Sequence, residues 1–219
     1  MRQNVSLAEI SDGHLYKAND MVKADCGGCE GCSQCCRGMG ISIILDPYDV
    51  YRLTTGIGKS MQELLATSVE LNVVDGVILP NLKMQGTREA CAYLDTEGRC
   101  SIHPYRPGIC RLFPLGRHYE NGGLFYFLQT GECAKENRSK VKVSKWIDTP
   151  ELKRNEQFKL QWHDLLSAMT DRVAGEDEGK QQEENLLLLR LFYLLPYKGT
   201  TDFYSQFTER MEYWNEQIR

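Results

Sequence analysis

Five of the nine cysteines in this chain lie within eleven residues, in the run DCGGCEGCSQCCRGMG. They are Cys26, Cys29, Cys32, Cys35 and Cys36, with the spacing C-x2-C-x2-C-x2-C-C. A thiol is a small hydrophobic group, so five thiols on one glycine-rich segment bury little apolar surface. Such a segment instead brings several thiolates to one point, which is the geometry that a zinc ion or an iron–sulfur cluster requires.

Composition and cysteine count indicate metal binding rather than a disulfide framework. The 219 residues carry a net charge of −4, so no basic stripe for a nucleic acid is expected. The longest apolar stretch, Leu186 to Leu195, is interrupted by Arg190 and is too short to span a bilayer, so we expect no membrane partner. The N-terminal residues lack the apolar segment of a signal peptide, which predicts a cytoplasmic protein. Cytosolic thiols stay reduced, and an odd number of them leaves one unpaired.

The pattern along the chain predicts an α+β fold. Residues 1–148 are expected to form a loop-rich, cysteine-cluster metal-binding module with two short hairpins. The hairpins are predicted where Asp75-Gly76 and Asn121-Gly122-Gly123 separate apolar runs. Residues 149–219 contain no cysteine and show helical periodicity, with aromatic side chains at spacings of three and four. We therefore predict three C-terminal helices that pack on the module in one compact unit.

Capping signals predict where two of the N-terminal helices begin and end. Ser6 and Glu9 have the spacing of a capping box, which predicts a helix that continues to about Val22. Asp46-Pro47 combines an N-cap residue with proline at the first helical position, and Gly56 is the predicted end of that helix.

Four further cysteines follow the first run at irregular intervals, each beside a predicted turn or strand end. They are Cys91, Cys100, Cys110 and Cys133. Together with the first run they make all nine cysteines candidate metal ligands. Nine thiols are enough for two tetrahedral sites, or for one cluster with a spare set.

The first run can be divided into ligands in two ways. Cys26, Cys29, Cys32 and Cys36 have the spacing of bacterial ferredoxins, although Arg37 stands where that motif has proline. The other division leaves Cys26 out and uses the four remaining cysteines of the run. Adjacent side chains point in different directions on most backbones, so Cys35 and Cys36 are candidates for separate metal sites or for a bridge between them. Spacing alone leaves both divisions open.

The crowding of thiols favours an iron–sulfur cluster, with 4Fe-4S preferred, because inorganic sulfide separates the ligands. The alternative is a purely structural zinc ion, which can contribute on the order of 10 kcal/mol to folding. Arg37, Arg106 and Arg111 are candidates to contact the bound cofactor, since guanidinium groups offset the negative charge of four thiolates. They can equally be ordinary surface arginines. His103, three residues after Cys100, is an alternative ligand in a Cys3His site.

Two linked motifs carry a family resemblance. CEGCSQCC at residues 29–36 fits a C-x-x-C-x-x-C-C signature, and CAYLDTEGRCSIHPYRPGICRLFPL at residues 91–115 looks like its second half. Together they resemble the YkgJ-like cysteine-cluster family, described as zinc- or iron-chelating, to which a domain of the flagellin lysine-N-methylases is related. The resemblance implies eight family cysteines, and Cys26 is then an addition. The eight are Cys29, Cys32, Cys35, Cys36, Cys91, Cys100, Cys110 and Cys133.

These observations predict a metal-binding protein whose cluster is structural or transfers electrons, with a redox partner in the second case. One alternative is a zinc-binding structural or adaptor protein whose acidic, aromatic-rich C-terminal helices dock a partner. The other, implied by the resemblance alone, is a protein-lysine methylase-like enzyme that uses S-adenosylmethionine and a protein substrate. The chain has no glycine-rich strand–turn–helix fingerprint for that cofactor.

Overall fold

The computed structural model describes residues 6–27, 32–135, 137–175 and 177–218, and its architecture confirms the predicted α+β class. In these ranges the helices are α1 (Leu7–Ile10), α2 (Pro47–Ile57), α3 (Met61–Thr67), α4 (Gly108–Leu112), α5 (Val143–Ile147), α6 (Leu152–Val173), α7 (Glu178–Leu189) and α8 (Phe203–Gln217). The strands are β1 (Met21–Asp25), β2 (Val69–Val74), β3 (Val77–Leu82), β4 (Met84–Gln85), β5 (Ala90–Cys91), β6 (Leu115–Glu120), β7 (Gly123–Leu128) and β8 (Ser139–Lys142).

The strands form antiparallel pairs rather than one sheet: β1 with β8, β2 with β3, β4 with β5, and β6 with β7. Both predicted hairpins are confirmed. Asp75-Gly76 and Asn121-Gly122 occupy their turns, and all four residues have positive φ. Positive φ at both central residues gives the twist that matches the flanking strands, and Asn, Asp and Gly tolerate it.

The predicted helix from Ser6 to Val22 is wrong. It ends at Ile10, and the Ser6 side chain makes no capping hydrogen bond. Gly13 then adopts a left-handed φ of 78°. The chain runs beside β7, where the Tyr16 N–H donates to the Tyr126 carbonyl at 2.7 Å, and continues into β1. Pairing with distant strands therefore outweighs the weak local helix signal.

The helix predicted at Asp46-Pro47 is confirmed as α2, and its start is a complete capping box. The Asp49 N–H donates to Asp46 Oδ1 at 3.0 Å, and the Asp46 N–H donates to Asp49 Oδ2 at 3.1 Å. The predicted end at Gly56 is wrong, because Gly56 lies inside the helix. The helix continues to Ile57, and Gly58 ends it with a φ of 72°, the left-handed conformation that favours glycine.

Two apolar cores hold these elements together. The larger one combines the β2–β3 hairpin, α2 and α3 with the C-terminal helices, and it buries Phe158, Trp162, Phe203 and Trp214. The smaller one joins β1, β6, β7 and α5. The larger core draws residues from both sides of position 148. The division into residues 1–148 and 149–219 remains a prediction. No helix in the described ranges has the length and apolar character needed to cross a membrane.

Asn185 fastens α7 to the β2–β3 hairpin and is 4% exposed. Its Oδ1 accepts a hydrogen bond from the Ile78 N–H at 2.7 Å, and its Nδ2 donates to the Gly76 carbonyl at 3.2 Å. Replacing Asn185 with leucine should leave both partly buried backbone groups without this partner. We expect the free energy of unfolding to fall by about 2–4 kcal/mol, measured by urea denaturation.

The control for this prediction is Gln182→Leu, which makes a similar change at an exposed position of the same helix. It should leave the urea midpoint nearly unchanged. Equal midpoints for Asn185→Leu and Gln182→Leu would show that the hairpin contact contributes nothing.

Candidate metal centre

Cys91 and Cys100 lie at the two ends of one short loop, residues 91–100, which folds back on itself. Cys91 is the last residue of β5 and pairs with Met84 of β4. The Leu94 N–H donates to the Cys91 carbonyl at 2.9 Å, and Leu94 forms a β-bridge with Cys100. The His103 N–H then donates to the Cys100 carbonyl at 3.2 Å, at the start of a short 3-10 helix, His103–Tyr105. Both cysteines are therefore held by backbone hydrogen bonds.

Cys36, from the first cysteine run, lies near Cys91 and Cys100. It ends a 3-10 turn, Gln34–Cys36, in which its N–H donates to the Ser33 carbonyl at 3.0 Å. The next residue, Arg37, forms a β-bridge with Ala90, and the Gly38 N–H donates to the Glu89 carbonyl at 2.9 Å. This pairing lays the end of the first run against the strand that carries Cys91.

Cys110 lies on α4, and the buried carboxylate of Asp49 binds the N-terminus of that helix. Asp49 is 3% exposed, and its Oδ1 accepts a hydrogen bond from the Gly108 N–H at 2.7 Å. Burial raises the pKa of Asp49 to about 6, while the Gly108 N–H and the positive charges of Arg117, Arg52 and Arg111 act in the opposite direction. Asp49 therefore stays mostly ionised at neutral pH and links α2 to the helix of Cys110.

The thiols of Cys36, Cys91, Cys100 and Cys110 are close enough to influence one another, and we call these four the thiol centre. The Cys35 thiol also acts on all four of them. Burial is the main cause that raises the pKa of Cys91, Cys100 and Cys110, and neighbouring thiols add to the rise. The pKa of Cys36 is lowered, chiefly because the Cys35 thiol donates a hydrogen bond to it. Cys91, Cys100 and Cys110 also pack against the larger core.

The donor set of the thiol centre fits a thiolate-bound metal. Thiolates are soft ligands that select zinc or iron–sulfur clusters. The positive charge of Arg106 acts on Cys35 and Cys100, and its buried Nε atom has no hydrogen-bond partner among the described residues. Within the same residues, no three cysteine, histidine or acidic side chains already stand at the mutual distances of a formed metal site. The thiol centre is therefore a cluster of donors, and ligand distances would require side-chain adjustment.

A second group of thiols lines a small cavity of about 20 Å³ beside the thiol centre. Its cysteines are Cys26, Cys32, Cys35 and Cys133, and we call this space the four-cysteine cavity. Phe113 and Pro114, which connect α4 to β6, form part of its wall. None of the eight cysteines in the described residues is in a disulfide.

The remaining predicted site residues fall in different places. Cys29 lies outside the described residues. Arg37 belongs to the segment that pairs with Ala90. The side chain of Arg111 is 10% exposed and points to Asp148, whose carbonyl accepts a hydrogen bond from its Nη2 at 3.0 Å. His103 is largely exposed, and partial burial of its ring together with the positive charges of Arg106 and Arg111 lowers its pKa.

Two buried charged residues near the thiol centre were not predicted as site residues. Asp49 supports α4, and Lys159 of α6 is 4% exposed and contacts the Asp46 carboxylate. Burial lowers the pKa of Lys159 to about 7. A Cβ atom on Gly108 would lie 3.3 Å from Lys159 Nζ and 3.4 Å from Asp49 Oδ1. The Asp46-Pro47 signal in the sequence indicates that Asp49 lies in the first turn of a helix, but it carries no signal of burial.

Comparison with known proteins gives one match. A family model described as “CxxCxxCC: Putative zinc- or iron-chelating domain” matches residues 28–139, just over half of the chain. The matched region contains the thiol centre and three of the four cysteines of the cavity. No curated protein matches the chain, and no solved structure matches it.

Proposed function

We propose, because this chain belongs to the CxxCxxCC family of zinc- or iron-chelating domains, that the thiol centre binds an iron–sulfur cluster of the 4Fe-4S type. The observation that carries the proposal is the meeting of thiols from three separate segments. Cys36 comes from the first run, Cys91 and Cys100 flank one turn, and Cys110 lies on α4. A metal bound there would tie together segments that lie far apart in sequence.

The crowding of thiols at this place supports an iron–sulfur cluster over zinc. Structural zinc sites are commonly built from pairs of cysteines two to four residues apart. No two cysteines of the thiol centre have that spacing, because Cys36, Cys91, Cys100 and Cys110 are all at least nine residues apart. Adjacent Cys35 adds a further thiol, and clusters tolerate such crowding because sulfide separates the ligands.

The surrounding residues would hold and tune the bound group. An iron–sulfur cluster supplies one-electron transfer, or serves as a structural staple. Arg106 would offset the negative charge of the thiolates, and its unpartnered Nε is available as a hydrogen-bond donor to sulfur. Packing of Cys91, Cys100 and Cys110 against the larger core limits access of water to one side of the site. The hydrogen bond from Gly108 to Asp49 fixes the direction of α4.

The experiment is purification without oxygen from iron-replete cells, followed by visible spectroscopy and measurement of iron, zinc and acid-labile sulfide. We expect a brown protein with about four iron and four sulfide per chain. A Cys91→Ser variant should lose the visible absorption and most of the sulfide. Colourless wild-type protein that contains zinc but no sulfide would contradict the proposal and favour the structural zinc alternative.

A further inference from the structure

We propose that Arg52 of α2 and Arg111 of α4 form a binding site for a compact oxyanion of the phosphate class. We call these two residues the arginine pair. Two observations support the site: buried guanidinium atoms of the pair lack an acceptor, and the carboxylates around them are already bonded or only loosely held. The site uses no thiol, so it is expected whichever metal the thiol centre binds.

The arginine pair lies where α2 approaches α4. The Arg52 guanidinium lies over the Tyr48 ring, 6.0 Å from its centroid, and its Nη2 donates to the Pro104 carbonyl. Burial lowers the pKa of Arg111, and the positive charges of Arg52 and Arg106 add to this effect. Burial raises the pKa of Tyr48, and both members of the pair oppose the rise. Two guanidinium groups therefore lie close together in a partly buried place.

Each member of the pair has a buried nitrogen atom without a hydrogen-bond acceptor among the described residues. These atoms are Arg52 Nη1 and Arg111 Nε. The Arg111 side chain is nine-tenths buried, and its Nη2 donates to the Asp148 carbonyl. A buried charged donor without an acceptor is costly, so native structures rarely contain one. An anion bound against the pair would supply the acceptors.

The nearby carboxylates do not neutralise the pair. Asp49 already accepts hydrogen bonds from two backbone N–H groups, and the charge of Arg117 acts on it as well as the charges of the pair. The Oδ2 atom of Asp148 is 3.7 Å from Arg111 Nη2, and its side chain is 88% exposed. Exposed ion pairs are weak. Positive charge is therefore in excess at the pair, although the whole chain is negative.

The donors of the pair indicate the class of anion. A guanidinium group presents a planar fork of N–H donors that matches phosphate and carboxylate oxygens. The two forks come from different helices, and a tetrahedral oxyanion can accept from both through separate oxygen atoms. A dianion also matches the excess of positive charge better than a single carboxylate. Free phosphate and the phosphate group of a monoester share this chemistry.

Asp148 provides a counter-ion that an oxyanion can replace. Asp148 has a φ of 46° and Glu151 a φ of 50°, so residues in the left-handed conformation flank Thr149-Pro150. This conformation is unusual for residues other than glycine and is often found at ligand-binding sites. The carbonyl of Asp148 bonds Arg111, while its carboxylate remains in solvent. An oxyanion can therefore displace the carboxylate without breaking the backbone contact.

The test is calorimetric titration of inorganic phosphate into the full-length protein at low ionic strength. We expect a dissociation constant of about 1 mM or below for wild-type protein. Arg52→Gln, and Arg111→Lys, which keeps the charge but lacks Nε, should each weaken binding at least about tenfold, because each removes a charge-assisted hydrogen bond. Arg190→Gln removes the same charge from an exposed position at the end of α7 and should bind phosphate like wild-type protein.

Asp148→Asn is expected to change the affinity in the opposite direction. It removes the negative charge beside Arg111 and keeps the backbone carbonyl, and asparagine tolerates positive φ. Phosphate should bind about threefold more tightly. Loss of structure cannot produce a gain of affinity, so this variant keeps the test decisive if Arg111→Lys is unstable. Unchanged or weaker binding by Asp148→Asn would contradict the inference.

The same titration with phenyl phosphate and acetate identifies the ligand. Acetate should bind at least about tenfold more weakly than phosphate, and equal binding would overturn the phosphate class. Tighter binding of phenyl phosphate than of phosphate would indicate a monoester as the source, and weaker binding would indicate free phosphate. No binding at about 10 mM phosphate, or equal affinity in wild-type protein, Arg52→Gln and Arg111→Lys, would overturn the site. Equal losses in Arg52→Gln and Arg190→Gln would also overturn it.

Iron, zinc and sulfide are measured on the same samples, and Arg52→Gln should keep the wild-type contents. If wild-type protein contains zinc and no sulfide but binds phosphate as described, the oxyanion site stands while the cluster proposal fails. If the protein contains iron and sulfide but binds no phosphate, the cluster proposal stands and the oxyanion site fails.

Discussion

Cys110→Ser is expected to release the metal of the thiol centre and to remove most of the free energy of unfolding. Cys110 is a member of that centre and packs against the larger core on α4. A structural metal contributes on the order of 10 kcal/mol to folding, and the net stability of a domain is only about 5–15 kcal/mol. The bound metal can therefore account for most of the free energy of unfolding.

The measurement is urea denaturation of wild-type protein and Cys110→Ser, each with its metal and after chelation. With metal present, the variant should unfold at much lower urea than wild-type protein. After chelation the two should unfold at similar concentrations, because both have lost the same ligand. Ile109→Ser is the matched control, since it shortens an exposed side chain of the same helix and leaves every thiol in place. Wild-type protein that stays fully folded and equally stable after chelation would refute the prediction.

The second large effect is expected at Asp49. Its carboxylate accepts from the Gly108 and Asp46 N–H groups and lies among the charges of Arg52, Arg111 and Arg117. Asp49→Asn would remove the negative charge that faces these arginines. It would also place an amide N–H of the new side chain against the backbone N–H groups that now donate to the carboxylate. We expect Asp49→Asn to lower the free energy of unfolding by about 2–4 kcal/mol. We also expect it to weaken metal retention, because Gly108 begins the helix that carries Cys110.

Glu63→Gln separates the two parts of this effect. Glu63 occupies the same capping-box position in α3, with its Oε2 accepting from the Ser60 N–H at 2.8 Å, but its side chain is exposed. The glutamine variant should therefore lose much less stability than Asp49→Asn and retain all of its metal. If the two variants lose equal stability, the buried contact of Asp49 with Gly108 carries no weight beyond helix capping.

Local sequence signals predicted the local elements well. Asp75-Gly76 and Asn121-Gly122 predicted hairpins because a two-residue turn needs residues that tolerate positive φ. Asp46-Pro47 predicted the start of α2 because the cap involves only neighbouring residues. The Ser6 capping pattern failed. There, contacts with β7, which lies more than a hundred residues further along the chain, decided the conformation of the segment after Ile10.

The sequence was sufficient for the class of ligand, since nine thiols in a chain expected to be reduced point to a soft metal whatever the fold. It was not sufficient to group the thiols. Adjacent Cys35 and Cys36 both interact with Cys91, Cys100 and Cys110, whereas Cys26 lines the four-cysteine cavity together with Cys133. These neighbours are set by the pairing of β1 with β8 and of Arg37 with Ala90, which are contacts between distant segments. Spacing in sequence describes only the local reach of the chain, whereas a metal site depends on which distant segments the two apolar cores bring together.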